Sequence, residues 1–167
     1  MEGYETILSR FYLLNGGIYQ RIPFVHIVAF EGQARHEGSF IPFLITLAQN
    51  IFIEGFDLTD RFRFLLPAAT PFEHHTNILH LRRTQDVLQV QRWTWMHKDV
   101  KPWGKILPAQ CPGCGAIHTL ECHRKERKAY AFECKSCHHI IYFEPEQNNL
   151  ITGPTLSGGR WMRRDIR

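Results

Sequence analysis

Apolar residues follow three rhythms along this chain, and each predicts a different element. Tyr4, Ile7, Leu8, Phe11 and Leu14 recur at helical spacing within Met1–Gln20, until Asn15-Gly16-Gly17 interrupts them. Phe24-Val25-His26-Ile27-Val28-Ala29-Phe30 is nearly continuous and rich in β-formers, the pattern of a strand covered on both faces. The loop Glu31–Gly38 comes next. Phe40, Phe43, Leu44, Leu47 and Ile51 then return to helical spacing over Phe40–Glu54. Ser39 is placed to cap that helix, Pro42 is tolerated in its first turn, and Gly55 stops it. A shorter helix is predicted over Thr59–Leu66, capped by Thr59 and ended by Pro67, with an irregular connection over Pro67–Thr76. Asn77–Arg83 and Val87–Trp95 read as two strands of a hairpin joined by Thr84-Gln85-Asp86. Trp93 and Trp95 fall on one face of the second strand, Arg92 and Thr94 on the other.

Lys101-Pro-Trp-Gly-Lys105 is the clearest punctuation, and Trp103 within it is placed to pack a distal module onto the first domain. The implied organisation is an N-terminal domain over 1–100, α+β or a partial α/β unit, then a small antiparallel β module over 105–145. A basic tail or docked strap over 146–167 completes the chain. With 167 residues, 44% of them hydrophobic, the chain holds one ordinary core plus a small module. The longest apolar stretches carry polar breaks and fall short of a bilayer span, so no membrane partner is expected. Met1–Tyr12 contains Glu2, Glu5 and Arg10, unlike a secretory leader, and an intracellular protein, cytoplasmic or nuclear, is the expectation. Charge is uneven. Residues 1–100 hold nine Lys/Arg against ten Asp/Glu, whereas residues 101–167 hold eleven against six, a net +5. An acidic partner for the second half is one reading, a solvated surface the other.

Four of the five cysteines form two pairs, Cys111-Pro-Gly-Cys114-Gly and Cys134-Lys-Ser-Cys137, nineteen residues apart. Each CxxC turn folds back to face both thiolates toward one point, so the two pairs together suit one tetrahedral zinc ion. The odd count favours metal in a reducing compartment over a disulfide framework, and leaves Cys122 as a buried or half-buried thiol beside the site or, alternatively, a substitute ligand. Pro112 stiffens the first turn, and Gly115 permits the positive φ that brings backbone amides toward the sulfurs. Ala116–Leu120 and Ala129–Glu133 are expected to pair as strands around a tip of His123–Lys128, with His139–Glu144 as a third strand.

The module resembles the zinc ribbons, on the strength of CPxCG, the second CxxC and the three-strand pattern. The resemblance implies one structural Zn2+ held by Cys111, Cys114, Cys134 and Cys137, a closed coordination sphere with no position for substrate. More widely, the run from Phe24 through His80 and then Trp93–Cys114 looks like the C-terminal part of uncharacterised fungal proteins that join an α/β region to a zinc ribbon. That likeness implies a truncated α/β half with an exposed sheet edge, to be covered by a partner or a second copy.

Zinc ribbons serve both nucleic-acid binding and protein assembly, so the local residues must decide. Arg124, Lys125, Arg127 and Lys128 at the expected hairpin tip, with Arg160, Arg163 and Arg164 near the C-terminus, form the candidate DNA or RNA contact. Tyr130, Phe132, Tyr142 and Phe143 either stack on bases or make up the ribbon's own core. The leading reading is thus a non-catalytic, zinc-stabilised protein that contacts nucleic acid. A protein–protein scaffold or self-association is the alternative, and a degenerate α/β enzyme the third. His26, His36, His74, His75 and His80, with Glu31, Glu37 and Glu73, invite catalysis only if several of them share a pocket. No catalytic residue is assigned, because no nucleophile–base spacing, phosphate loop or HExxH run occurs.

Overall fold

A computed structural model describes residues 26–31, 40–84, 87–125, 129–145 and 150–166. The expected helix over Met1–Gln20, and His36 and Glu37 of the loop, lie outside them. The described strands are β1 (His26–Glu31), β2 (Asn77–Thr84), β3 (Val87–Met96), β4 (Leu120–Lys125), β5 (Tyr130–Cys134), β6 (Ile140–Phe143), β7 (Leu150–Pro154) and β8 (Arg160–Ile166). They form two antiparallel sheets, one ordered β1-β2-β3-β8-β7 and one ordered β4-β5-β6. The first strand pairs antiparallel with β2, so the parallel strand–helix–strand unit expected under the α/β alternative is not what forms. Among the described strands β1 lies at a sheet edge, with all six residues half-buried, not enclosed on both faces.

Helix α1 (Ile41–Ala48) carries Pro42 in its first turn and continues into a π-helical turn over Gln49–Ile53. Its N-cap residue Phe40 makes no side-chain cap, and Ser39, the expected cap, lies outside the described residues. Gly55, at φ 66°, ends it as expected. Helix α2 (Leu58–Leu65) begins one residue earlier than predicted because Asp57, not Thr59, is the cap: its carboxylate accepts from the Thr59 amide at 2.6 Å. Pro67 does not end the helical path. Lacking an amide hydrogen, it sits early in a 3-10 helix over Leu66–Phe72, where no intrahelical partner is lost. None of the described helices is long and apolar enough to cross a membrane.

Strand alternation sorts the large sheet into two faces. Ile78, Trp93, Trp95 and Trp161 point one way and are buried against Phe43, Phe62 and Leu65 of the helices. Leu79, Leu81 and Val90 point the other way with Ile27, Ala29 and Ile166. The hairpin of β2 and β3 forms, but Thr84, expected in the connection, ends β2 and lies opposite Val87. Residues expected as a tail or strap supply β7 and β8, and β8 lies beside β3 with Trp161 opposite Trp95. The three-stranded sheet β4-β5-β6, hereafter the ribbon, is therefore an insertion in the chain between β3 and β8, two paired strands of the large sheet.

Trp103 joins the two. A 3-10 turn over Pro102–Gly104 puts it at φ 51°, and its ring packs 5.5 Å from that of Tyr130 in the ribbon core. A Cβ built on Gly104 meets Thr94 at 2.5 Å, showing how closely the linker lies on the helix-free face. The first ribbon strand runs four to five residues later than expected, as Leu120–Lys125. Arg124 and Lys125 consequently lie on a strand instead of a tip, and Arg127 and Lys128 are outside the described residues.

A Cβ added at Gly159 would run into the Trp95 ring, so Gly159→Ala is expected to destabilise the fold by about 1–3 kcal/mol in denaturant titration. Gly153→Ala, with nothing within 4 Å, is the near-neutral control. His80 is buried, and that desolvation, followed by the nearby His26, pushes its pKa down from 6.5 to about 4. Between those values the unfolded chain protonates His80 while the native chain does not, so acid favours unfolding. Stability should fall as pH drops from 6.5 toward 4, and His80→Phe should flatten that slope.

Candidate metal centre

Cys111 and Cys114 sit on a turn before β4; Cys134 ends β5, and Cys137 lies on the turn between β5 and β6. Their four sulfurs all lie within 4.8 Å of one another. Cys111 Sγ is 3.7 Å from Cys137 Sγ, and Cys114 Sγ is 3.8 Å from Cys134 Sγ. A tetrahedral ion with metal–sulfur bonds of about 2.3 Å separates its ligands by about 3.8 Å. The cluster therefore has the dimensions to hold one metal ion. Cys111 and Cys134 are buried, Cys114 and Cys137 exposed, so the ion would lie at the module's surface, enclosed by sulfur.

The two turns share one hydrogen-bond plan. Gly115 N donates to the Cys111 carbonyl at 2.8 Å, and His138 N to the Cys134 carbonyl at 2.9 Å. In return Cys111 N donates to the Ala116 carbonyl and Cys134 N to the His139 carbonyl, each at 2.9 Å. Gly115 and His138 hold the same place, and both have positive φ, 75° and 58°. The amide that reaches Cys111 Sγ belongs to Gly113, at 3.3 Å, with Ser136 N at 3.4 Å from Cys134 Sγ. Gly115 thus closes the turn through the carbonyl and leaves the sulfur contact to Gly113, a division the spacing does not reveal.

Cys134 carries an additional partner, Thr119 Oγ1 at 3.1 Å. That hydroxyl, reinforced by the Cys137 and Ser136 amides, pulls the Cys134 thiol down to about 5. The His139 amide draws Cys137 down as well, but the crowded sulfurs of Cys114, Cys111 and Cys134 outweigh it, and Cys137 is pushed up to about 12. The thiols titrate as a set: one early thiolate opposes the next. A cation at the centre removes that opposition. Thr119 lies outside both CxxC motifs, and no spacing signal marks it in the sequence.

The fifth cysteine, Cys122, packs half-buried against the ribbon core, and burial raises its thiol pKa. His138 and His139 come directly after the last ligand position without joining the sulfur cluster. His138 Nδ1 lies 2.6 Å from Glu133 Oε1, and His123 Nδ1 lies 3.0 Å from Glu133 Oε2.

The other candidates are dispersed. Arg160, Arg163 and Arg164 lie on β8, where alternation sends Arg163 to the helix face, 3.4 Å from Asp165. Arg160 and Arg164 take the opposite face. Tyr130, Phe132 and Phe143 are buried as the ribbon core, and Tyr142 alone among these aromatics is exposed. Glu31 accepts from Arg92 at 2.7 Å and from Asn77 at 2.8 Å on the helix-free face. Glu73 is buried and accepts from Ser157, while His74 packs on Trp95. Of the candidate histidines within the described residues, only His26 and His80 make a direct polar contact, with ring nitrogens 3.0 Å apart.

No family model, no curated protein and no solved structure matches this chain. The whole-chain likeness to fungal α/β-plus-ribbon proteins has no support from these comparisons.

If Thr119 tunes the cluster, Thr119→Val should weaken metal retention about tenfold in a chelator competition while leaving the fold intact by circular dichroism. His138→Gly should keep the second turn, whereas His138→Val forces a β-branched residue into positive φ at about 1–2 kcal/mol and should release metal more readily.

Proposed function

We propose that this chain is a zinc-stabilised, non-catalytic binding protein whose partner is another protein. Zinc fits the all-sulfur donor set at tetrahedral spacing, and four cysteine ligands leave no open position for substrate. In this reading Cys111, Cys114, Cys134 and Cys137 are the ligands, and the ion replaces the core that a module of this size lacks. Its mechanical effect is to hold the insertion rigid between β3 and β7, with Trp103 as the peg.

One observation carries the choice of a protein partner. Ile41, Ile45, Phe52 and Ile53 of α1 and its π-helical turn are turned to solvent, with Phe52 84% and Ile53 78% exposed. Isolated apolar residues on a surface are ordinary, but several large ones on one short helical segment mark a contact surface. Among the described residues the nucleic-acid reading rests on Arg124 on β4 and on Arg160 and Arg164 on one face of β8, all three exposed. Base stacking loses most of its material, since three of the four ribbon aromatics are core.

Purified protein should contain one zinc per chain by elemental analysis. Chelation should expose Trp103 to acrylamide quenching while Trp93, Trp95 and Trp161 stay protected. Anisotropy titrations against mixed DNA and RNA should show no submillimolar binding at low salt; salt-sensitive binding lost on removing Arg160 and Arg164 would transfer the conclusion to nucleic acid. Concentration-dependent association in sedimentation velocity, abolished by Ile45→Glu with Ile53→Glu, is the result expected if the partner is a second copy.

A further inference from the structure

Between the β1 edge and the end of α1 lies a cavity of about 410 Å³, within the size range of small-molecule sites. Val28, Phe30, Leu44, Leu47, Ile51 and Phe52 make most of its wall. Part of that wall is the π-helical turn, an arrangement found often at functional sites. Two polar side chains, His26 and Asp57, interrupt the apolar lining.

Both polar groups are acceptors. Buried His80 places Nδ1 3.4 Å from Gln91 Oε1, and with the amide oxygen in that place Nδ1 carries the proton. His80 Nε2 is then an acceptor, so His26 donates to it through Nδ1 at 3.0 Å. His26 Nε2 is left with a lone pair for any ligand. His80 is held in turn by stacking on Phe62, with centroids 4.5 Å apart and planes 8° from parallel. Burial lowers the His26 pKa, keeping the ring neutral near pH 7. The Thr59 hydrogen bonds lower that of Asp57, keeping it charged. A ligand whose polar end only accepts would meet two acceptors, and one whose end donates would be received by His26 Nε2, with Asp57 beside it.

We propose that this cavity binds a small amphipathic molecule with an apolar body and a hydrogen-bond donor head, a hydroxyl or amine, received by His26 Nε2 beside Asp57. The histidine pair is a binding device here: His26 receives the ligand, and His80 is a positioning residue that fixes the tautomer. The site is independent of the metal cluster, so loss of zinc and loss of ligand binding are separate results.

The test uses a matched pair of ligands on the zinc-loaded full chain, 4-pentylphenol and its methyl ether, by calorimetry at about pH 7.5. The phenol is expected to bind with a Kd of roughly 10–500 μM, and the ether about tenfold or more weaker, because it leaves the acceptors unmet. His26→Phe should bring the phenol to the ether's level, and Leu44→Trp, at the half-exposed mouth, should remove both. 4-Pentylbenzylamine reports the amine arm: tighter binding than the phenol, reduced by Asp57→Asn, selects an amine head. Equal binding of phenol and ether, no phenol binding up to its solubility limit, or unchanged binding in folded Leu44→Trp each overturns the proposal. A pH titration adds a second reading: phenol binding should weaken as acid protonates His26 Nε2, at a pH below the ordinary imidazole value, whereas ether binding should not.

Discussion

The pairing of β3 with β8 is the constraint on which the rest of this molecule depends. It joins Val90 to Ile166 and Met96 to Arg160, closing a long stretch of chain into one ladder. Closing a long loop costs conformational entropy that grows only slowly with length, so an insertion of this size is tolerable if the pairing itself is strong. Its strength lies in the tryptophans. Trp95 and Trp161 stand opposite one another, both buried against Phe62 and Leu65, and Gly159 leaves room for the Trp95 ring. Aromatic residues bury more area than any others, which explains why the helix face is organised around them.

An insertion tethered at both ends still needs a reason to be ordered. The ribbon core is small: Tyr130, Phe132 and Phe143, with Trp103 and Leu107 reaching in from the linker. Sulfur convergence provides the remainder in the metal-bound reading, since metal binding to such modules is itself folding free energy. The matched turns around Cys111 and Cys134 are the local means. Each uses a residue at positive φ to bring its second cysteine round, and each aims an amide at the first sulfur. Glycine does this without strain; His138 does it while its ring reaches Glu133.

On the opposite side of the sheet the chemistry is of another kind. Within the helix face His26, His80 and Gln91 form a short polar chain beside the apolar core. Burial keeps these imidazoles neutral, and neutrality makes them selective acceptors instead of charges. The exposed side of α1 and its π-helical turn then presents large apolar groups next to that chain. Metal cluster and helix face are thus separate sites, related only through the sheet between them.

Local features with a strict spacing were legible in the chain. The CxxC pairs, the β2–β3 hairpin, Pro42 within its helix, Gly55 at its end and the common face of Trp93 and Trp95 all come from short-range geometry, which residue type and interval determine. Caps and strand limits were less so: Asp57 and Thr59 are both good caps, and only the direction of the chain entering α2 selects between them. Strand partners distant in the chain were not legible. Nothing local in Arg160–Ile166 distinguishes a basic tail from a central strand, because its place depends on Trp161 meeting Trp95 across the intervening ribbon. The same holds for Thr119 at Cys134 and for His26 at His80, contacts between residues far apart in the chain. Sequence alone therefore determined the metal-ligand pattern and the local elements, through intervals of a few residues. The tertiary structure decided sheet order, the burial of the ribbon aromatics and the histidine pair, because packing and pairing free energies act between segments whose separation leaves no periodic trace.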